Sequence, residues 1–254
     1  MSIDWNQIPA AIWRSRRGVL RPVSQLDPIR LDQLLGIEIQ KQKLIANTER
    51  FLSGFSANNA LLWGSRGTGK SSLIKALLNH YFDRGLRIIE VDKNDLVDLP
   101  EIVDDIRELP QRFVLYCDDL SFAEGENTYK AMKSVLEGSI ERPPENIVLY
   151  ATSNRRHLMP EARSDNKLTE IVSGELHYGD SVEEKLSLAD RFGLWLSFYP
   201  INWDEYFKLV DSYFGDYRGD RKALHEAARQ FALLRASHSG RTAKQFFLSR
   251  QNDD

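Results

Sequence analysis

The chain has 254 residues, 42% of them apolar, which suits one large domain with a sizeable core or one domain with a small appendage. Its 34 basic and 37 acidic residues leave a net charge of -3, so nothing pulls the whole molecule toward nucleic acid or membrane, and such contacts need a local patch. A single cysteine, Cys117, excludes an internal disulfide and a cysteine-based zinc site; no apolar run reaches the roughly 20 residues that span a bilayer, no secretion signal is legible, and a cytoplasmic protein is expected.

Residues 1–26 read as an N-terminal arm. Its "WRSRRGVLRP" gathers Arg14, Arg16, Arg17 and Arg21, which suits a contact with nucleic acid or an acidic partner, or a solvated connector; for so short a run the connector is expected. Then "DPIRLDQLLGIEIQKQKLIANTERFLSG" carries Leu35, Ile39, Leu44 and Phe51 as a helix face, ended by Ser53 and Gly54. Five apolar runs follow, at 59–64, 86–92, 112–118, 146–154 and 193–200, without clear two-residue alternation. Such runs suit strands buried on both faces of a parallel sheet. Helix-like stretches at 70–84, 98–108, 127–141 and 181–190 separate them, which predicts a three-layer α/β domain over 27–200. Beyond Pro200, amphipathic stretches at 203–215, 219–236 and 240–250 predict a small helical lid over 201–254.

The chemistry begins at "LLWGSRGTGKSSLI". Gly64, Ser65, Arg66, Gly67, Thr68, Gly69, Lys70 and Ser71 complete the G-x-x-x-x-G-K-[ST] pattern, and Ser72 continues into the helix. Glycines let successive amides turn toward one point, and the helix N-terminus adds partial positive charge, so the loop fits a nucleotide phosphate. Lys70 reaches the β- and γ-phosphates in that reading, and the Ser71 hydroxyl ligates Mg²⁺. "FVLYCDDL" ends a buried run in two carboxylates, Asp118 for the metal shell and Asp119 to polarise the attacking water, with two solvated aspartates as the bland alternative. "NIVLYATSNRR" ends in Thr152, Ser153 and Asn154, where Asn154 can meet the water or γ-phosphate, or merely cap a turn; Arg155 and Arg156 follow. Arg191 and Arg241 offer permanent charge for phosphate oxygens, from a neighbouring subunit or from the lid, although an isolated Arg is usually a surface ion-pair partner.

As an ordered set, the phosphate loop, "FVLYCDD", "YATSN", "ADRFG" and "SGRTA" resemble the Walker A, Walker B, sensor 1, arginine-finger box and sensor 2 of AAA+ ATPases. "NTERFLSG", "LLWGSRGTGKSSLIKALL", "TSNRRHLMPE" and "EEKLSLADRFGLW" resemble the DUF815 family within them, and "RFG" and "SGRTA" are more loosely similar to the DnaA and DnaC branch. The resemblance implies a P-loop αβα core with strand order 5-1-4-3-2 plus a lid, with ATP and Mg²⁺ as ligands. It implies Lys70 and Ser71 on phosphate and metal, Asp118 on the metal, sensor 1 at Asn154, a finger acting in trans at Arg191, and sensor 2 at Arg241. Leu35 and Gly36 correspond to the adenine pocket. Most AAA+ ATPases carry Glu where this chain has Asp119, one methylene shorter, which leaves the hydrolysis rate open.

Three functions fit. The first is a Mg²⁺-dependent ATPase acting as a homo-oligomer on an unknown protein partner. The second is a switch or loader in which ATP binding is the active event. The third, a small-molecule kinase, shares the loop but leaves Asn154, "ADRFG" and the helical tail unexplained. Nucleic acid stays open as a partner through the arginines, without support from the net charge.

Overall fold

A computed structural model describes residues 3–120, 132, 142–154, 170–172, 175–177 and 191–250. Arg155, Arg156 and the helices expected at 127–141 and 181–190 lie outside the described residues, apart from Met132, which is helical and buried.

The strands are β1 (Ala10–Arg14), β2 (Val19–Val23), β3 (Ala60–Gly64), β4 (Leu86–Glu90), β5 (Arg112–Cys117), β6 (Ile147–Ser153), β7 (Glu170–Val172), β8 (Glu175–His177) and β9 (Leu194–Phe198). The described helices are α1 (Glu38–Leu52), α2 (Lys70–Tyr81), α3 (Leu99–Ile106), α4 (Trp203–Tyr213), α5 (Arg221–Leu234) and α6 (Gly240–Arg250). One sheet has seven strands in the order β2-β1-β4-β5-β6-β3-β9, and β7 pairs with β8 in a separate antiparallel hairpin that the sequence pattern does not announce.

Read from β9 inward, the five expected strands stand in the order 5-1-4-3-2, all parallel. Along β5 the side chains alternate between two cores. Phe113, Leu115 and Cys117 join one core with α3, while Val114 and Tyr116 join the other with α1 and α2. Both faces are therefore apolar, which is why no polar alternation marks these runs. Each fully buried Leu, Ile or Phe stabilises the layer by roughly 1.5–3 kcal/mol.

Two expectations are corrected. Residues 10–23 of the arm are not a connector but two strands of the sheet: β1 runs parallel to β4 and antiparallel to β2. Trp5 packs edge-on against Phe113 with ring centroids 4.9 Å apart, and Trp13 Nε1 donates to Asp98 Oδ2 at 2.8 Å, so two tryptophans anchor the first half of the arm. Its arginines Arg14, Arg16, Arg17 and Arg21 remain exposed at the outer edge of the sheet. The face expected for the first helix also shifts. Leu35 precedes α1, and Ile39 is 67% exposed, because α1 buries Leu44, Asn47, Thr48 and Phe51. Five residues separate Ile39 from Leu44, which turns it about 140° away from that stripe. The polar members of the stripe are satisfied: the buried Tyr150 hydroxyl meets Thr48 Oγ1 at 2.9 Å and accepts from Asn47 Nδ2 at 3.1 Å.

The three C-terminal helices form where expected and share a third core around Tyr206, Val210, Ala228 and Phe246. A reciprocal capping box starts α4: Asn202 Oδ1 accepts from the Glu205 amide at 2.9 Å, and Glu205 Oε2 accepts from the Asn202 amide at 3.0 Å.

Candidate nucleotide site

β3 ends at Gly64 and α2 begins at Lys70, so residues 65–69 turn the chain between a central strand and a helix N-terminus. Gly64, Gly67 and Gly69 have φ of 131°, 77° and 97°, a region L side chains rarely adopt. At Gly64 there is a second constraint. A Cβ there would lie 1.9 Å from the Phe198 carbonyl oxygen of β9. The next amide, Ser65 N–H, donates to that same oxygen at 3.0 Å. Thr68 Oγ1 donates to Ser65 O at 2.8 Å and ties the loop across its base.

Lys70 Nζ donates to Gly64 O at 2.8 Å, Ser65 O at 2.7 Å and Asn154 Oδ1 at 3.2 Å. Burial pushes its pKa down; Asp118 and Asp119 oppose that shift, while Arg241 and Arg66 add to it. The ammonium is thus held over the loop by acceptors whose places the oxygens of an anion can take.

The two carboxylates stand beside it at the open end of β5. Ser71 Oγ donates to Asp118 Oδ1 at 2.8 Å, and Thr152 Oγ1 donates to the same oxygen. Burial alone would raise the Asp118 pKa. Donors on Thr152 and Ser71, the nearby Tyr116 hydroxyl and the Asp119 amide outweigh it and hold the carboxyl below its usual range. Tyr116 Oη is buried and has no hydrogen-bond partner among the described residues, although it lies close enough to Asp118 to bias its ionisation. Asp119 takes φ 54°, and its carboxylate accepts from Asn154 Nδ2. Lys70, Asn154, Asp119, Thr152, Asp118 and Ser71 therefore form one continuous hydrogen-bonded chain.

The helical bundle closes on the loop. A Cβ on Gly67 would meet Ser239 Oγ at 2.7 Å and Arg241 Cβ at 3.5 Å, so the start of α6 rests on the phosphate loop and brings Arg241 to it. Leu35 packs into the core of the bundle, and Gly36, with φ 77°, faces Ile201 and Glu205. The pair thus sits against the helical bundle, directly before Ile37. Ile37, which the sequence reading passed over, is closer to the loop, with Cδ1 3.4 Å from a Cβ on Gly69. Nothing in the sequence marks Ser239 or the hydroxyls of Thr152 and Tyr116, whose polar or aromatic character alone gives no such signal.

Arg191 is not brought to this loop. Its carbonyl accepts from Asn59 Nδ2 at 3.4 Å, before the start of β3, whereas the loop follows the end of β3. β9 runs parallel to β3, from Leu194 beside Ala60 to Phe198 beside Gly64, so four strand steps, about 13 Å, separate the two ends.

The donors fit Mg²⁺. Ser71 and Asp118 offer two hard oxygens, and among the described residues no group of three or more His, Cys, Asp or Glu could cage a metal. A site with two protein oxygens suits an ion that fills its octahedron with phosphate and water.

A parallel sheet in 5-1-4-3-2 order, a glycine cradle running into a helix N-terminus, and paired carboxylates on the next strand but one define a P-loop protein of the AAA+ fold. The chain belongs to the family described as "Protein of unknown function (DUF815)", which it matches over residues 6–253. Among solved structures it is similar to AMPPCP-bound DnaA from Aquifex aeolicus, with TM-score 0.59 and 18% identity over 90% of this chain and 67% of that one. It is also similar to RuvB from Thermotoga maritima, described as a "Holliday junction branch migration motor", with TM-score 0.50 and 16% identity over 87% of this chain and 72% of that one. No curated protein matches it. Identities this low establish the shared fold and nothing about ligand or partner.

Proposed function

We propose that the protein is a Mg²⁺-dependent ATPase that works as a homo-oligomer and couples ATP binding and hydrolysis to movement of its helical lid against a protein partner. The observation that carries this reading is the unbroken hydrogen-bonded chain from Lys70 through Asn154, Asp119, Thr152 and Asp118 to Ser71. It gathers a cation, a polar amide, a second carboxylate and a metal-ready hydroxyl–carboxylate pair around one crevice. AMPPCP in the similar DnaA structure supports a nucleoside triphosphate as the ligand class.

The work is positioning and electrostatics. Lys70 exchanges its loop carbonyls for β- and γ-phosphate oxygens. Ser71 and Asp118 hold Mg²⁺, which supplies Lewis acidity at the phosphoryl oxygens when bound. Asp119 and Asn154 orient the attacking water. Arg241, at the seam between loop and lid, reports the γ-phosphate to the helical bundle. Arg191 starts from the end of β9 opposite its own loop, and we assign it to the site of the neighbouring subunit. That assignment requires an oligomer. The RuvB motor shares the fold, but nothing in the balanced charge of this chain extends a DNA-junction substrate to it.

A second reading is a switch in which ATP binding alone is the active event. The short Asp119 carboxylate, already engaged by Asn154, favours it. Steady-state turnover of MgATP, fluorescent-nucleotide binding and two variants separate the readings. Lys70→Ala is expected to abolish binding, and no ATP binding by the wild type at millimolar concentration would refute both. Asp119→Asn is expected to bind ATP and lose turnover; if it keeps its cellular role while Lys70→Ala loses it, the switch stands. Asp119→Asn protein loaded with ATP is also the bait with which to trap the partner.

A further inference from the structure

The end of β6 holds the Asp118–Leu120 turn through a single residue. Thr152 Oγ1 donates to Asp118 Oδ1 and accepts from the Asp119 amide at 2.9 Å; the Thr152 carbonyl accepts from the Leu120 amide at 2.7 Å. Thr152 is 2% exposed, so its end of these bonds is shielded from water, while Asp118 and Asp119 lie at the exposed end of β5. One consequence is visible in the backbone. Asp119 takes φ 54°, a left-handed conformation that few residues other than glycine adopt, Asp being among those that can. Its Cα–Cβ bond is thereby turned toward β6. Two residues beyond Thr152, just past the end of β6, Asn154 donates Nδ2 to the Asp119 carboxylate. Thr152 and Asn154 thus grip Asp119 at both ends, by its amide and by its carboxylate. A side chain with a single methylene has little reach, so the direction of its Cα–Cβ bond decides where the carboxylate lies.

We propose that Thr152 is a positioning residue that fixes the direction of the Asp119 carboxylate, and through it the placement of the attacking water. The second half of this rests on the ATPase reading above; the first half does not. The Thr152 hydroxyl is suited to the task because it is donor to one carboxylate and acceptor for the amide of the next, so a single group sets both. Ser153 between them points to the opposite face of the sheet, and the Tyr116 hydroxyl has no hydrogen-bond partner among the described residues.

The test compares wild type, Thr152→Val and Thr152→Ser, each as the full chain. Val keeps the branched shape and removes the hydroxyl; Ser keeps the hydroxyl. Three quantities are read: hydrogen exchange at the Asp119 amide, affinity for a fluorescent ATP analogue, and kcat and KM for MgATP. Thr152→Val is expected to exchange the Asp119 amide at least about tenfold faster while the Leu115 amide within β5 stays protected. Its kcat is expected to fall about a hundredfold, with affinity for the fluorescent analogue measured without Mg²⁺ within about threefold of wild type, since the metal ligand Asp118 also loses a donor. Thr152→Ser is expected to restore all three. An Asp119 amide that exchanges at the wild-type rate in Thr152→Val overturns the proposal. So does a loss of protection through β5 and β6 with affinity and kcat falling together, or a Ser variant no better than Val. If Thr152→Val does not fold, Thr152→Ala against Thr152→Ser gives the same comparison. A wild type that binds ATP and never hydrolyses it would refute the ATPase reading, while exchange at Asp119 would still decide what Thr152 holds.

Discussion

Gly64→Ala tests how the phosphate loop is built into the sheet. The added Cβ would sit 1.9 Å from Phe198 O and 2.8 Å from Phe198 C, and these are backbone atoms that no rotamer change can move aside. An unstrained carbon–oxygen contact needs about 3.3 Å, so β9 and the loop must part by more than an ångström. Three costs combine. Alanine at φ 131° is strained by about 1–3 kcal/mol. Separation breaks the 3.0 Å bond from Ser65 N–H to Phe198 O, worth about 0.5–1.5 kcal/mol. Displacing packed neighbours costs about 1–3 kcal/mol. The total of about 3–7 kcal/mol is a large part of the 5–15 kcal/mol that holds a typical domain together. Gly85→Ala is the control. Gly85 also has positive φ, 91°, but a Cβ there meets nothing within 4 Å, so only the backbone cost of about 1–2 kcal/mol applies. Urea unfolding with an unchanged m-value measures both, and fluorescent-nucleotide titration measures the loop. Gly64→Ala is expected to unfold at much lower urea than Gly85→Ala and to lose nucleotide affinity, whereas Gly85→Ala keeps it. Equal stability of the two variants, or wild-type affinity in Gly64→Ala, would refute the assigned contact.

Ser71→Ala removes one donor from Asp118, so the carboxyl moves up toward its ordinary value. Because the native pKa is depressed, the stability it contributes is present above the unfolded value of about 3.9 and lost as pH falls through the native one; the variant is expected to be less stable than wild type at neutral pH, with the gap in urea midpoints closing in acid. Tyr81 shows the opposite sign. Burial and the Glu49 carboxylate, which accepts from its hydroxyl at 3.0 Å, push its pKa up to about 12. Stability from that proton is complete below about pH 10, the unfolded value, and lost as pH rises toward 12, so Tyr81→Phe is expected to be about 1 kcal/mol less stable at pH 7 and to match wild type in strong alkali in denaturation curves. Arg191→Ala is expected to bind ATP within about threefold of wild type and to lose turnover by about a thousandfold. Mixing it with Lys70→Ala is expected to recover part of that turnover, because the second variant retains the arginine; no recovery in a mixed oligomer would remove Arg191 from the neighbour's site.

What the sequence reveals here depends on how local the cause is. The phosphate loop is a contiguous pattern, and β3, β4, β5, β6 and β9 are apolar on both faces, so each announces itself without knowledge of its neighbours. β1 does not, because its buried residues are Ala10, Ala11 and Trp13, and two alanines add little to an apolar run. Ile39 misleads for the same reason in reverse: it is apolar, yet the buried stripe of α1 is set by Asn47 and Thr48, whose partner is Tyr150 on β6. Asp118, Asp119 and Asn154 are legible as strand-end polar groups, but the role of Thr152 depends on the register of β5 on β6 and on the left-handed turn at Asp119. Arg191 is legible as an arginine before a strand; that it starts from the end of β9 opposite its own loop follows only from the direction of β9.

The three glycines of the loop divide these dependencies among them. Gly64 lies against the carbonyl of Phe198 in β9, Gly67 against Ser239 and Arg241 of the helical bundle, and Gly69 against Ile37 in the segment before α1. Glycine is needed at each for its backbone angle, and at the first two also because another part of the chain occupies the space of a side chain. A loop that closes on an anion must shift some of these contacts, since Lys70 has to leave the carbonyls of Gly64 and Ser65 to do so. The contact at Gly69 yields most easily, because Ile37 Cδ1 is the end of a flexible side chain; at Gly67 the neighbours include the Cβ atoms of Ser239 and Arg241, which move only with the start of α6, and the β9 carbonyl is fixed in a sheet. On the ATPase reading proposed above, the sheet is the fixed frame, and Ile37 and the start of α6 are the neighbours that loading of the loop would displace.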